Sequence, residues 1–168
     1  MNPPPPNPDF GLFYEQNVER IYRFLLARTG SVAEAEDLTS ETFHAALEGY
    51  TRCRPGEGPS WLAGIAHHKL IDSFRRRKKV EPLEWAVNLP MGGPNVEDQV
   101  GLRLDMARVA SALRALPVER AEALALHYFA GLGMTEVGRA LGRSEEAAKK
   151  LVQRGLAELK QRIDYEKR

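Results

Sequence analysis

The amino-acid sequence predicts an all-α protein of two small helical domains joined by a flexible linker. Apolar residues recur at three- and four-residue steps through most of the 168 residues, and no stretch carries a strong strand signal. One internal segment, 80–100, contains three prolines and two adjacent glycines and separates two helical sets. We therefore expect a disordered Pro-rich lead-in at 1–8, a first domain at 9–79, a linker at 80–100 and a second domain at 101–168.

The first domain is predicted to contain three amphipathic helices. Gly30 ends the first helix and Ser31 caps the second, whose inward positions include Leu47. A loop rich in proline and glycine follows, and Ser60 is expected to cap the third helix. The expected bounds of the three helices are 9–28, 32–50 and 60–79.

The third predicted helix has a packed side and a charged side. At helical spacing Leu62, Ala66 and Leu70 share one face, whereas His68 lies on the other and five basic residues follow from position 75. Aromatic rings on this helix could stack on bases, and its dense basic end could follow a phosphate backbone. This combination favours nucleic-acid binding. A core helix with a solvated back would have the same periodicity. Trp61, in the first turn, is expected to pack in the domain core.

The second domain ends in a pattern typical of a helix-turn-helix. Gly138 is small where the helices must approach, Gly142 permits a left-handed turn, and Ser144 can cap the last helix. The outward side of that helix is rich in Lys, Arg and Gln, which donate to phosphates and base edges in the major groove. The four helices of the domain are expected over 101–116, 117–130, 134–141 and 145–163.

Charge and cysteine content narrow the functional class. The net charge is only +1, so nucleic-acid binding would rest on local patches, and the 80–100 segment carries four acidic and no basic side chains. Cys53 is the single cysteine, which excludes an internal disulfide and fits a reducing compartment. No apolar run reaches the length of a membrane span, and the start lacks the regions of a signal peptide. We expect a cytoplasmic protein without membrane insertion.

Four ordered motifs resemble those of the extracytoplasmic-function sigma factors, the smallest members of the bacterial sigma-70 family. The resemblance implies a subunit that binds core RNA polymerase and directs promoter recognition and transcription initiation. It implies no enzymatic activity, no cofactor and no metal. The motifs are AEDLTSETF at 35–43, the helix at 61–77, LRALP at 113–117 and the segment 131–154, and the resemblance extends over 13–163.

The resemblance also implies where the partners bind. The second helix is expected to dock on the clamp of the largest polymerase subunit with exposed acids and an exposed ring, and the flap is a further expected contact. The residues implied for polymerase binding are Asp37, Leu38, Glu41, Thr42 and Phe43. Those implied for the minus-ten element are Arg52, Arg54, Trp61, His67, His68, Lys69, Arg75 and Arg76. Those implied for the minus-thirty-five element are Arg143, Ser144, Glu146, Lys149, Lys150, Gln153 and Arg154.

Three positions depart from the family's usual pattern. Ser40 stands where Gln is usual, His67 and His68 where Arg-Asn is frequent, and 146–148 reads Glu-Ala-Ala in place of Gly-Thr-Val. The promoter sequence therefore does not follow from the resemblance. The resemblance further raises the hypothesis of an anti-sigma protein that covers the polymerase-binding surfaces of both domains.

Energetics make core polymerase the implied obligate partner. Opening about a dozen base pairs at roughly 1.4 kcal/mol of stacking each would cost about 17 kcal/mol. A specific DNA complex supplies roughly 11 to 15 kcal/mol. A chain of this size cannot melt a promoter alone.

Two other functions fit parts of the sequence. A free-standing transcription regulator would explain the helix-turn-helix, but it would leave the 35–43 motif and the basic end of the third helix without a role. An enzyme or metal protein would have to use Cys53, His67 and His68. Adjacent histidines on a helix point about 100° apart and do not share a metal as an i, i+4 pair would.

Overall fold

The structure is a computed structural model that describes residues 8–54, 56–77 and 108–168. Within these ranges every regular element is a helix and no strand occurs, so the predicted all-α class is confirmed. The predicted linker at 80–100, residues 1–7 of the lead-in and the first part of the second domain, 101–107, lie outside the described residues.

The first helical set consists of α1 (Pro8–Thr29), α2 (Val32–Gly49), a short 3-10 turn (Tyr50–Arg52) and α3 (Gly58–Arg77). Gly30 joins α1 to α2 at φ +65°, a conformation that favours glycine. The Ser31 hydroxyl accepts a hydrogen bond from the backbone N–H of Glu34 at 3.3 Å, as an N-cap does. The predicted junction between the first two helices is confirmed.

Two local predictions in this set are wrong. α3 begins at Gly58, and Ser60 lies inside its first turn with its hydroxyl donating to the Glu57 carbonyl at 3.1 Å. The helix starts earlier because the Trp61 N–H already bonds the Glu57 carbonyl at 2.9 Å. Leu47 is 46% exposed, since it follows Ala46 on the helix and is rotated about 100° away from the packed face.

The core of the first set lies between its three helices. Aromatic side chains close one end: the Phe13 ring lies 5.0 Å from Tyr50 and 6.4 Å from Trp61, measured between centroids. Trp61 is half-buried there, as expected for a core position. The fully buried aliphatic and aromatic side chains of this core include Ile21, Phe24, Leu25, Leu62 and Leu70.

The second helical set consists of α4, described over 108–114, α5 (Val118–Tyr128), α6 (Met134–Leu141) and α7 (Glu145–Glu166). Gly142 ends α6 at φ +66°, and the Ser144 hydroxyl accepts from the Ala147 N–H at 3.1 Å. A Cβ on Gly138 would lie 2.8 Å from the Arg143 carbonyl oxygen, which explains the glycine there. The predicted helix-turn-helix geometry is confirmed.

Helix α5 is buried on all sides over 121–126. It packs on α7 and α6 within its own set and on α1 of the first set. Helix α6 packs on α3, and the apolar side chains of both sets form one continuous buried cluster. The two sets therefore form a single packed body in this structure.

Candidate nucleic-acid interface

Helix α7 presents the basic face that the sequence predicts. Ala148 and Val152 are buried against the rest of the second set, whereas Lys150, Gln153 and Arg154 are exposed on the other side. Three donors on one exposed helix face match the requirements of major-groove binding.

Part of the predicted minus-thirty-five set has partners within the chain. Lys149 is half-buried, and its Nζ lies 3.6 Å from Glu145 Oε1 and 3.9 Å from Glu146 Oε1. Arg143 forms an exposed ion pair with Glu119. Acids in the first turn of α7 thus partly balance the charge of Lys149. Lys150 and Arg154 are therefore the cations of α7 that are more available to bind DNA.

The predicted minus-ten residues fall in three environments. Those exposed to solvent are Arg52, Arg54, His68, Arg75 and Arg76. Trp61 and Lys69 are half-buried. His67 is instead engaged with the second helical set, because its Nδ1 lies 2.8 Å from Glu122 Oε2. The structure therefore does not gather the whole predicted set on one open surface.

Helix α2 presents the two predicted acids but not the ring of Phe43. Asp37 and Glu41 are exposed, whereas Leu38, Thr42 and Phe43 are buried. The expectation that the ring of Phe43 is exposed is wrong: only 5% of Phe43 is exposed. Its ring packs edge-on against Tyr14 with the centroids 4.8 Å apart. Such burial removes a large ring from water and anchors α2, so of the five residues implied for polymerase binding only the two acids face outward.

Sequence reasoning missed a buried charge cluster between the two sets. Glu122 on α5 is fully buried and accepts a hydrogen bond from Arg28 Nε on α1, while its second oxygen meets His67 on α3. The Arg28 guanidinium carbon lies 5.3 Å from the centroid of the Phe74 ring. The sequence contained one signal of this cluster, because Glu122 lies within the otherwise apolar run 121–126. A carboxylate buried in such a run needs a partner.

Two further arginines adjoin this cluster. Arg114 Nη1 donates to the Thr29 carbonyl at 3.1 Å, where Gly30 leaves room for the guanidinium. Burial, and then the charge of Arg28, lower the pKa of Arg114. Burial, and then the charge of Arg114, lower the pKa of Arg77, which pairs with Glu34. The boundary between the two sets is thus electropositive around one buried carboxylate.

Cys53 lies half-buried in the loop before α3. Burial, and then the charge of Glu57, raise the pKa of its thiol, which disfavours the thiolate. The residues described include no group of three or more His, Cys, Asp or Glu side chains arranged to hold a metal ion. Over the same ranges, no helix combines the length and the apolar character that crossing a membrane requires.

Comparison with known families matches both helical sets. The Sigma-70 region 2 family model matches residues 13–80, and the Sigma-70 region 4 model matches residues 106–159. Together they cover more than half of the chain. The first match covers most of α1 and all of α2 and α3, and the second covers most of the described second set.

Characterised relatives agree with these matches. The chain is 33% identical over 156 residues to the ECF RNA polymerase sigma factor BldN of Streptomyces coelicolor, covering 89% of this chain and 58% of BldN. It is 29% identical to the ECF RNA polymerase sigma factor SigE of Mycolicibacterium smegmatis, covering 91% of this chain and 61% of SigE. The chain thus spans about three fifths of the length of these two relatives.

CnrH of Cupriavidus metallidurans, an RNA polymerase sigma factor, is 32% identical over 143 residues, with 78% of this chain and 74% of CnrH covered. A solved structure of CnrH in complex with the cytosolic domain of CnrY superposes with a TM-score of 0.71 at 23% identity, covering 93% of this chain and 88% of CnrH. That superposition supports the fold. The helix-turn-helix, the two family matches and these relatives together show that the chain belongs to the extracytoplasmic-function group of the sigma-70 family.

Proposed function

We propose that this chain is an alternative sigma factor that binds core RNA polymerase, directs it to promoters and leaves after initiation. One observation carries the proposal: a single chain presents an exposed acidic pair on α2, Asp37 and Glu41, and an exposed basic face on α7. The first suits a basic protein surface and the second suits DNA. The polymerase would supply the chemistry of RNA synthesis, and the chain would act beside it in the cytoplasm.

In this proposal the two helical sets bind different partners and promoter elements. Residues 9–79 bind the polymerase and the minus-ten element, 80–100 form the linker, and 101–168 read the minus-thirty-five element. For polymerase docking, Asp37 and Glu41 make the contact, while Leu38, Thr42 and Phe43 hold α2 in place from inside the core. Docking energy then comes mainly from charge complementarity and the surrounding surface.

The minus-ten contacts are assigned to the exposed members of the predicted set. Arg75 and Arg76 lie in the last turn of α3, where cations also suit the helix dipole. Arg52 ends the 3-10 turn, and Arg54 lies in the loop that precedes α3. Basic side chains at both ends of α3 can follow the backbone of a melted strand. His68 is the exposed ring on α3 available for a base contact.

The test is binding of the purified chain to bacterial core RNA polymerase free of any sigma subunit, measured by size exclusion and native gel. Asp37→Lys with Glu41→Lys reverses both exposed acids of α2, and we expect the complex to be lost. Glu15→Lys with Glu19→Lys is the matched control, because these acids are also exposed and four residues apart, but they lie on α1. The control should bind as the unmodified chain does.

Two outcomes would overturn the proposal. If the unmodified chain forms no complex with core polymerase but still binds duplex DNA, the free-standing regulator is favoured, and a dimeric mass would support it. If both reversal pairs bind equally well, the α2 docking surface is wrong even though the family assignment stands.

A protein inhibitor is a second proposal, made by analogy with CnrH, whose structure contains the cytosolic domain of CnrY. We propose that an anti-sigma protein binds this chain on surfaces that the polymerase also uses. If so, excess core polymerase should displace that protein from the chain. A stable complex of the chain, the inhibitor and core polymerase would contradict the proposal.

A further inference from the structure

One carboxylate in the first turn of α2 holds the last turn of α3. Glu34 Oε1 accepts a hydrogen bond from the Ser73 hydroxyl at 2.6 Å, and Glu34 Oε2 forms an ion pair with Arg77. Ser73 and Arg77 are four residues apart, so they lie on the same side of α3. The Glu34 side chain is 16% exposed and Ser73 is 8% exposed. Glu34 therefore makes a largely buried contact that spans the last turn of α3.

The local structure at the start of α2 leaves this carboxylate available for α3. Glu34 is the third residue after the cap Ser31, a position from which a glutamate often bonds back to the N–H of the cap. Here the Ser31 N–H instead donates to the Thr29 hydroxyl at 3.3 Å. The Ser31 hydroxyl still accepts from the Glu34 N–H. The cap thus fixes the backbone of Glu34 while its side chain reaches α3.

The two cations of α3 that are assigned to the minus-ten element lie between the two positions that Glu34 contacts. Arg75 and Arg76 follow Ser73 and precede Arg77, and both are exposed. At about 100° per residue, Arg75 lies about 180° and Arg76 about 80° around the helix from the side that contacts Glu34. Holding positions 73 and 77 therefore fixes the backbone that carries both cations and covers neither of them.

The last turn of α3 needs such a contact. Helix ends fray, because their last four carbonyls have no partner within the helix, and this end carries three consecutive arginines. Arg77 also lies close to a further cation, since burial, and then the charge of Arg114, lower the pKa of Arg77. The Glu34 carboxylate offsets this positive charge and keeps the turn ordered where α3 is most basic.

We propose that Glu34 is a positioning residue for minus-ten binding, because it orders the last turn of α3 and so places Arg75 and Arg76 to contact the phosphates of the melted strand. The inference rests on the proposed function and adds a residue to it. Side chains on an ordered turn lose less conformational entropy when they bind. Glu34 acts through the two arginines, so its effect on DNA affinity is opposite to the effect of its negative charge.

The sign of a charge change tests the proposal. Glu34→Ala removes a negative charge beside the basic end of α3, so electrostatics alone predicts tighter DNA binding, whereas loss of positioning predicts weaker binding. We expect full-length Glu34→Ala to bind labelled oligo(dT) of about 20 nucleotides at least about fivefold more weakly than the unmodified chain, measured by fluorescence anisotropy. Oligo(dT) is a suitable probe because phosphate contacts carry no sequence information.

Glu36→Ala is the matched control for the change of charge. Glu36 is an exposed acid two residues further along α2, and it is not assigned to polymerase or DNA. Glu36→Ala should bind oligo(dT) as tightly as the unmodified chain or slightly more tightly. Opposite effects of the two substitutions would therefore separate positioning from charge.

Two further variants separate positioning from a general loss of structure. Ser73→Ala removes the hydrogen bond to Glu34 without a change of charge, and it should weaken binding by about twofold to threefold. In a protein that carries Arg75→Ala and Arg76→Ala, Glu34→Ala should cause no further loss, because the side chains that it positions are gone. A general loss of structure would instead weaken binding equally in both backgrounds.

The outcomes judge the positioning role and the sigma-factor function separately. Unchanged or tighter binding by Glu34→Ala would overturn the positioning role, and so would an equal loss in the background without Arg75 and Arg76. Binding to core polymerase judges the sigma-factor function and does not depend on these measurements. A chain that fails to bind core polymerase but shows the expected losses would retain the positioning role in single-strand binding alone.

Discussion

Arg28 and Glu122 form a buried ion pair across 94 positions of the chain, between the helix that opens the first set and the helix at the centre of the second. The Arg28 guanidinium lies over the Phe74 ring, and its Nε–H donates a hydrogen bond to the Glu122 carboxylate. Its Nη1 has no hydrogen-bond partner among the described residues. An imperfectly satisfied buried pair adds little to stability relative to apolar residues of the same size, but it disfavours any other arrangement of its charges. Its main effect is to fix how the two sets meet.

A double-mutant cycle on this pair should reveal the strength of that coupling. Arg28→Met and Glu122→Leu should each lower the free energy of unfolding by up to about 3 to 5 kcal/mol, because each leaves one buried charge. The double variant should lose less than either single variant. Urea unfolding of the four proteins gives the interaction energy.

The control cycle uses the exposed pair of Glu19 and Arg23, four residues apart on α1. Glu19→Leu and Arg23→Met should show a coupling of only about 0.3 to 0.5 kcal/mol, since water screens both charges. Equal coupling in the two cycles would contradict the burial of the Arg28 pair.

Binding to minus-thirty-five DNA should depend unequally on the cations of α7. Lys150→Ala and Arg154→Ala should each weaken binding and reduce the slope of log affinity against log salt by about 1, as loss of one phosphate contact does. Lys149→Ala should have a smaller effect, because Glu145 and Glu146 already balance its charge. Fluorescence anisotropy over a salt series measures both quantities.

Lys167, exposed at the far end of α7, provides the control for this series. Lys167→Ala should leave both affinity and salt slope unchanged. If promoter-directed transcription is unaffected when Lys149, Lys150 and Arg154 are all replaced by Ala, another face of the protein reads the DNA.

Gly138→Ala should destabilise the helix-turn-helix. The added methyl group would lie 2.8 Å from the Arg143 carbonyl and 3.2 Å from the Ser144 carbonyl, and backbone atoms cannot move aside as a flexible side chain can. Overpacking of this kind costs about 1 to 3 kcal/mol. Thermal unfolding followed by circular dichroism should show the loss.

Gly11→Ala is the matched helical glycine, because nothing lies within 4 Å of a Cβ at that site. It should be neutral or stabilising by up to about 1 kcal/mol, as expected from helix propensity. If Gly138→Ala is equally neutral, the turn has more space than the structure describes.

Glu158 should titrate at unusually low pH. A hydrogen bond from Arg120 is the main cause that lowers its pKa. Desolvation opposes this shift, and a hydrogen bond from Arg162 together with the charges of both arginines lowers the pKa further. A carboxyl group with a lowered pKa in the folded state stabilises the fold above its unfolded pKa of about 4.3, and that contribution is lost as pH falls through the folded pKa. The α5–α7 contact should therefore weaken under acid.

Nuclear magnetic resonance titration of the Glu158 carboxyl carbon measures this pKa directly. Arg120→Gln should raise it more than Arg162→Gln does, because the donor distances are 2.7 Å and 3.3 Å respectively. The opposite ranking would show that the pairing between α5 and α7 is not the main cause.

The sequence by itself determined the elements that depend on near neighbours. Gly30, Ser31, Gly142 and Ser144 fixed helix ends, because left-handed turns and caps involve residues within about four positions. Helical periodicity likewise identified the packed and outward faces of α3 and α7 and gave the all-α class. The Lys150, Gln153 and Arg154 face followed from the same local rule, and the structure leaves it exposed.

Tertiary structure decided which of the remaining candidates face solvent. Helical spacing does not say how wide a buried face is, so the burial of Phe43 beside Tyr14 and the exposure of Leu47 emerged only from packing. The contact of His67 with Glu122 joins residues 55 positions apart, beyond any local pattern. The packing of the two helical sets on each other depends on such distant pairs, because a buried charge is stable only where folding brings it a partner.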